Sequence, residues 1–430
     1  MPRPRVDDWY ICASFGSHRE RYPPLGSTVW VVMVRRAAVV LVALVTAAAC
    51  SNPPPQPLPK FNGVIAVYDA LISPFGPSSP LQGGSHVVTV VSLDGDSARV
   101  VARVTFARRS AVPEPERCSP GGCPGGLEAL YVSTSKDRIF VLDGDSTIKE
   151  IGANGEVRTV MSLRLPANVR AAFAVSPDDK QIAVGLVDYS AGWSAIGEKL
   201  FVQPLGGGPR TNLSLPNDGT YWPVGWRNGQ LVLATGSVWI SETGNPNSAL
   251  GYALLDPVPG AQPAKITPRA CVPLGLPSTG GTACEDVGVS RCDAPVSAPG
   301  YDSCFWRLDW SGKQTTFRLP HVAAAAPISG DAAALSPDGQ RIVTSRLFFA
   351  GQRFSNSVNQ LGVPAPATYD SDRDVGWIDA AHISSGYVLR DGSSGFSIFD
   401  LAAGRAKPSQ LTITGPAVTG HLVATLPGGL

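Results

Sequence analysis

After residue 60 the chain is written almost entirely in short apolar–polar alternations broken by turn-forming residues. Phe173-Ala-Val-Ser-Pro-Asp-Asp-Lys-Gln-Ile-Ala-Val-Gly185 and Ala333-Ala-Leu-Ser-Pro-Asp-Gly-Gln-Arg-Ile-Val-Thr-Ser345 carry one pattern twice. Phe173 and Val175 alternate before the first turn, Ile182 and Val184 after it, which is the period-two signature of half-buried antiparallel strands. Between them, Ser opens a type I turn, Pro fixes φ, Asp bonds its own backbone, and the last Asp or Gly accepts a left-handed conformation. Further strands are predicted at Gly63–Tyr68, His86–Leu93 and Ala98–Val104, the last two flanking Asp94-Gly-Asp-Ser97. The same turn returns at Asp143-Gly-Asp-Ser146, inside a meander of four short strands from Leu130 to Leu163.

The repeats set a period. The Ser-Pro-Asp turns lie 160 residues apart, and Val224-Gly-Trp226 and Val375-Gly-Trp377 lie 151 apart, so both offsets fit three units of about 50 residues. Four-stranded meanders at that period predict an all-β, single β-propeller of four-stranded antiparallel blades. Residues 61–430 give seven blades, with six or eight fitting nearly the same length. Leu422–Leu426 is expected beside Gly63–Tyr68, so that both chain ends close one blade and no long sheet edge stays open. Ser-Pro-Asp-Gly before one strand and Val-Gly-Trp before another resemble the blades of TolB-type and related WD-like bacterial propellers. These motifs are short, so the resemblance implies the fold rather than an activity.

The front of the chain has another character. Residues 1–32 show no sustained periodicity and read as a non-native or disordered extension, with translation expected to start at Met33. Residues 33–49 read as a secretory signal: Arg35-Arg36, an uncharged run from Ala37, then three Ala before Cys50. The run is too short to cross a bilayer as a helix. A Cys after Ala47-Ala-Ala49 resembles the lipobox of bacterial lipoproteins, although Ala47 stands where Leu is commonest. That resemblance implies lipidation at Cys50 and a membrane-anchored, extracytoplasmic protein. Residues 50–60, with Pro at 53, 54, 55, 57 and 59, suit a semi-rigid tether.

Composition narrows the function classes. Charged residues make up 16 % and hydrophobic ones 43 %, with 46 Gly and 39 Pro, which fits many turns and few amphipathic helices. Six basic and three acidic residues precede Cys50, and the remainder carries a net charge of −2 with no dense basic run, so nucleic acid is not an expected partner. Six cysteines follow Cys50, and in an exported chain they are expected to pair. Proximity suggests Cys118 with Cys123, Cys271 with Cys284, and Cys292 with Cys304, placed in insertions at 106–126 and 270–304. No C-x-x-C and no nearby His support a metal site. The Asp-Gly-Asp-Ser copies, read as equivalent turns of neighbouring blades, lack the further carboxylates a calcium loop needs.

No catalytic constellation is evident. Gly192-Trp-Ser-Ala-Ile-Gly197 has the wrong spacing for a nucleophile elbow, and the histidines after Cys50 are scattered at 86, 321, 382 and 421. Aromatic residues in long connections, Tyr189, Trp193, Trp239, Phe349, Phe354 and Tyr369, are the candidates for a binding face or for lids over blade cores. The expectation is therefore a non-catalytic, cofactor-free lipoprotein. It would be anchored to the membrane and hold an envelope protein, peptide or glycan. The alternatives are a propeller hydrolase or lyase acting on envelope polymers, and an accessory or sensor lipoprotein of a transporter or kinase.

Overall fold

The structure is a computed structural model describing residues 58–72, 85–94, 97–107, 131–190, 197–217, 219–236, 249, 251–268, 271–286, 304–318, 333–348, 353–360, 367–371, 373–388, 394–401, 409–414 and 421–430. The signal segment, Cys12, Cys50 and the tether up to Pro57 lie outside these residues.

Among the described residues, twenty-eight strands form seven four-stranded antiparallel sheets. In blade order from the inside outward, blade 1 holds β28 (His421–Leu426), β1 (Val64–Ile72), β2 (Ser85–Asp94) and β3 (Ser97–Ala107). Blade 2 holds β4 (Val132–Thr134), β5 (Ile139–Asp143), β6 (Thr147–Ile151) and β7 (Val157–Ser162). Blade 3 runs β8 (Val169–Val175), β9 (Gln181–Asp188), β10 (Gly197–Pro204), β11 (Thr211–Leu213), and blade 4 runs β12 (Thr220–Arg227), β13 (Gln230–Gly236), β14 (Gly251–Leu255), β15 (Ala264–Lys265). Blade 5 comprises β16 (Cys271–Ser278), β17 (Gly281–Asp286), β18 (Cys304–Leu308) and β19 (Gln314–Arg318). Blade 6 comprises β20 (Ala333–Leu335), β21 (Arg341–Phe348), β22 (Arg353–Gln360) and β23 (Ala367–Ser371). Blade 7 comprises β24 (Arg373–Trp377), β25 (His382–Val388), β26 (Ser394–Asp400) and β27 (Ser409–Thr414). The propeller expected from the period is the fold observed.

Burial follows from position in the blade. Every residue of the inner strand β8 is buried, whereas the outer strand β7 alternates exposed and half-buried residues before Met161. The largest apolar cluster crosses blade boundaries, joining Val88 and Phe106 of blade 1 to Phe140 and Ile148 of blade 2 and Phe173 of blade 3. One blade cannot bury its own faces, so packing against neighbours is what makes each one stable. Closure is as the sequence suggested, with Ile65 opposite Leu426 and Tyr68 opposite Leu422.

Several local expectations are corrected. Cys271 and Cys284 sit in β16 and β17, in the blade itself rather than in an insertion, and they form a buried disulfide with Cα atoms 5.1 Å apart. Phe354 and Tyr369, expected in a long connection, stand on strands instead, β22 and β23. The two Asp-Gly-Asp-Ser turns are not equivalent: the first joins the third and fourth strands of blade 1, the second joins the second and third of blade 2. Short turn motifs fit any tight hairpin, so their recurrence did not fix a position in the blade.

Candidate functional site

Two repeated motifs turn out to be one device. Ser-Pro-Asp sits at the hairpin between the first and second strands of blades 3 and 6. In blade 3, Ser176 Oγ donates to Asp178 Oδ1 at 2.7 Å and accepts from the Gln181 N–H at 2.9 Å. In blade 6, Ser336 Oγ donates to Asp338 Oδ1 at 2.5 Å and accepts from the Arg341 N–H at 2.9 Å. The left-handed position is Asp179 in one (φ 59°) and Gly339 in the other (φ 68°). Val-Gly-Trp lies on the inner strand of the blade that follows. Trp226 Nε1 donates to the Ala174 carbonyl at 3.0 Å, and Trp377 Nε1 donates to the Ala334 carbonyl at 2.9 Å. In both cases the acceptor is two residues before the turn's Ser. The pairing register shifts at both motifs, with a β-bulge at Val224 in one and at Asp374 in the other.

The inner-strand ends converge on a cavity of about 290 Å³ on the propeller axis. All seven inner strands line it, through Thr134, Val175, Gly225, Ser278, Leu335, Gly376 and Thr425 among others. The wall is mostly apolar side chain and main chain. Around it the first hairpins bond to one another: Lys136 N–H to the Pro177 carbonyl at 3.2 Å, Arg227 to the Thr279 carbonyl at 3.0 Å, Thr279 Oγ1 to the Pro337 carbonyl at 2.7 Å, and Arg341 to the Ala380 carbonyl.

Blade 1 has no such hairpin, because its inner strand comes from the other end of the chain. From β28 the chain instead runs on as Pro427-Gly-Gly-Leu430. The Gly428 N–H donates to the Ser135 carbonyl of blade 2 at 2.7 Å, and the Leu430 N–H donates to the Trp226 carbonyl of blade 4 at 3.0 Å. Gly429 lies against Pro177 of blade 3. This tail therefore arcs over the mouth from blade 1 to blade 4. Its glycines are required: a Cβ at Gly428 would collide with Thr134 and the Ser135 carbonyl, and one at Gly429 would sit 2.9 Å from Pro177 Cγ at φ 106°. The Leu430 side chain covers Gly225, where a Cβ would come within 2.5 Å of it.

Two sets of titratable groups lie near this face, Asp379 with His382 and Asp179 with Arg138, and Glu198 lies toward the opposite strand ends. Asp379 lines the mouth, and His382 Nδ1 lies 2.8 and 2.9 Å from its two carboxylate oxygens. The backbone N–H groups of Ala381 and His382 also donate to Asp379 Oδ1, so the carboxylate caps the turn while it orients the imidazole. In the sequence this pair is hidden among scattered histidines, and the Asp-x-x-His spacing just after the Val-Gly-Trp strand is its one signal. Burial raises the Asp179 carboxyl above its usual range against the pull of Ser135 and of Arg138, 3.2 Å away. At the interface of blades 3 and 4, Glu198 accepts the Tyr221 N–H at 2.6 Å, and burial pushes its pKa up to about 7. Among the described residues, no group of three His, Cys, Asp or Glu could hold a metal ion.

Of the aromatic candidates, Tyr189 is described with its surroundings. Tyr189 is 5 % exposed and packs with Trp222, Tyr252 and Trp310, so it serves the core of blades 3 and 4. Trp193, Trp239 and Phe349 lie outside the described residues, while Phe354 and Tyr369 fall on β22 and β23. Cys118, Cys123 and Cys292 also lie outside them, and Cys304 begins β18.

No protein-family model matches the chain, and no curated protein matches it. Solved structures do resemble it. A puromycin-hydrolyzing peptidase from Mycobacterium tuberculosis aligns at 13 % identity and TM-score 0.42, covering 81 % of this chain and 53 % of that one. Dipeptidyl peptidase 4 from Porphyromonas gingivalis aligns at 12 % identity and TM-score 0.43, covering 85 % and 53 %. Hydrazine synthase from Kuenenia stuttgartiensis aligns at 11 % identity and TM-score 0.34, covering 86 % and 99 %. The chain thus spans about half the length of the peptidases it matches. This comparison overturns the expectation of a non-catalytic scaffold that is not an enzyme.

Proposed function

We propose that the chain is the propeller part of a peptidase-like hydrolase, and that the axial mouth on the first-hairpin face is where peptide binds. One observation carries this reading: the mouth already accommodates a polypeptide segment, held by main-chain hydrogen bonds to two inner-strand ends and by an apolar contact over Gly225. Recognition through backbone groups with one side-chain pocket is how extended peptides are bound by sheet ends and edges. Asp379 and His382 add, beside the same rim, an imidazole oriented by a carboxylate, the geometry a general base needs. Chain taken from native membranes and incubated with a defined peptide mixture should generate new peptide termini, read by mass spectrometry, and His382→Ala should slow their appearance. An unchanged mixture would overturn the hydrolase reading.

We further infer an extracytoplasmic, lipid-anchored placement. It is supported by Arg35-Arg36, the apolar run to Ala49 and Cys50, and by the Cys271–Cys284 disulfide, since disulfides persist in oxidising compartments. Intact mass of the membrane-extracted protein should match a species beginning at acylated Cys50. A soluble species that retains residues 1–49 would contradict it.

A further inference from the structure

We propose that Pro427–Leu430 is a displaceable strap over the mouth, and that the ligand it excludes is a peptide of the same chemistry: two small residues followed by an aliphatic one. The inference rests on the peptide-binding reading above and deepens it. Three observations support it. First, β28 finishes its pairing with β1 at Leu426, so ring closure does not use the tail. Second, the tail is held from outside the sheets: Pro427 is exposed, the next three residues are half-buried, two main-chain hydrogen bonds secure it, and Leu430 packs against the Trp222 cluster. Third, the two Val-Gly-Trp sites differ in what covers their glycine. Gly376 is covered by Leu422, a residue of the regular inner strand β28, whereas Gly225 is covered by Leu430, which belongs to no strand. The small residues at 428 and 429 and the aliphatic residue at 430 are what the Thr134, Pro177 and Gly225 surfaces admit.

A tethered segment competes at an effective concentration of about millimolar. Free peptide therefore binds the intact chain weakly and binds a strapless chain without that competition. The test uses fluorescein-labelled Pro-Gly-Gly-Leu, followed by anisotropy, on the full chain and on a variant ending at Leu426. The variant should bind at least about tenfold more tightly than the full chain, as tether competition requires, and adding Gly225→Val to it should abolish that binding while the thermal transition persists. Equal binding to both chains, or none to a folded strapless variant, would overturn the proposal. Should the truncated chain fail to fold, Leu430→Asp in the full chain keeps the Gly428 contact and should raise peptide affinity in the same direction. No rise there overturns the proposal as well. Binding without any hydrolysis would leave the strap standing and remove the hydrolase reading. Hydrolysis unaffected by truncation would do the reverse.

Discussion

Blades 3 and 4 and blades 6 and 7 contain the same Ser-Pro-Asp turn locked to the same Trp, yet they solve the left-handed position differently. At Asp179 the chain tolerates φ 59° with a non-glycine residue whose carboxylate lies 3.2 Å from Arg138 of the preceding blade. At Gly339 the guanidinium of Arg307 from the preceding blade occupies the place a Cβ would take, 2.6 Å from it. An arginine from the neighbour reaches the turn in both modules, as an ion-pair partner in one and as a lid in the other. The turn type is therefore set by local sequence, but the residue at its last position is set by the adjoining blade.

The comparison breaks most severely at the indoles. Trp226→Ala and Trp377→Ala should each cost about 3–5 kcal/mol in denaturant unfolding, through cavity formation at the blade interface. Trp226 should be the larger, because it is 2 % exposed against 6 % for Trp377. Trp226→Phe removes the donor to the Ala174 carbonyl together with part of the indole's volume, and should cost about 1–3 kcal/mol, less than the alanine variant.

The glycines of Val-Gly-Trp sharpen the contrast. Gly376→Val drives a side chain into Leu422 of the closing strand and should cost about 1–3 kcal/mol, as overpacking does. Gly225→Val should cost less than about 1 kcal/mol, since Leu430 can leave. Equal losses at the two sites would mean that the tail is as integral as β28.

At the turns, Gly339→Ala should destabilise by about 1–2 kcal/mol from left-handed strain. Asp179→Gly relieves that strain but loses the Arg138 contact, so the net change should stay within about 1 kcal/mol.

The smallest effect is in pH. Glu198 binds its proton more tightly folded than unfolded, so its contribution to stability is full below about pH 4.5 and is lost as pH rises toward about 7. Glu198→Gln keeps an acceptor for the Tyr221 N–H and should flatten the thermal stability profile across that window. A profile unchanged by the substitution would show that Glu198 titrates normally.

Much of this fold was legible because propeller blades repeat local chemistry. Ser176 and Ser336, Trp226 and Trp377 and the pairing of Leu422–Leu426 with the first strand all follow from period-two alternation and turn residues. What stayed illegible depends on contacts between blades. Nothing in Pro427-Gly-Gly-Leu430 announces that it crosses the mouth, since its partners are Ser135, Pro177 and Trp226, some 200 to 300 residues earlier in the chain. Asp379 and His382 were missed because the pair also reads as an ordinary turn. Tyr189 reads from the sequence either as a binding-face contact or as a lid over a blade core, because its place beyond β9 looks like loop, and the neighbouring Trp222 and Tyr252 decide for the core.

The most direct test of the account is hydrogen exchange of the strapless chain with and without saturating Pro-Gly-Gly-Leu. Peptide at the mouth predicts added protection confined to the inner-strand ends around Thr134, Trp226, Ser278 and Asp379. Protection on the opposite face, or none anywhere, would contradict the assignment of the mouth as the peptide site.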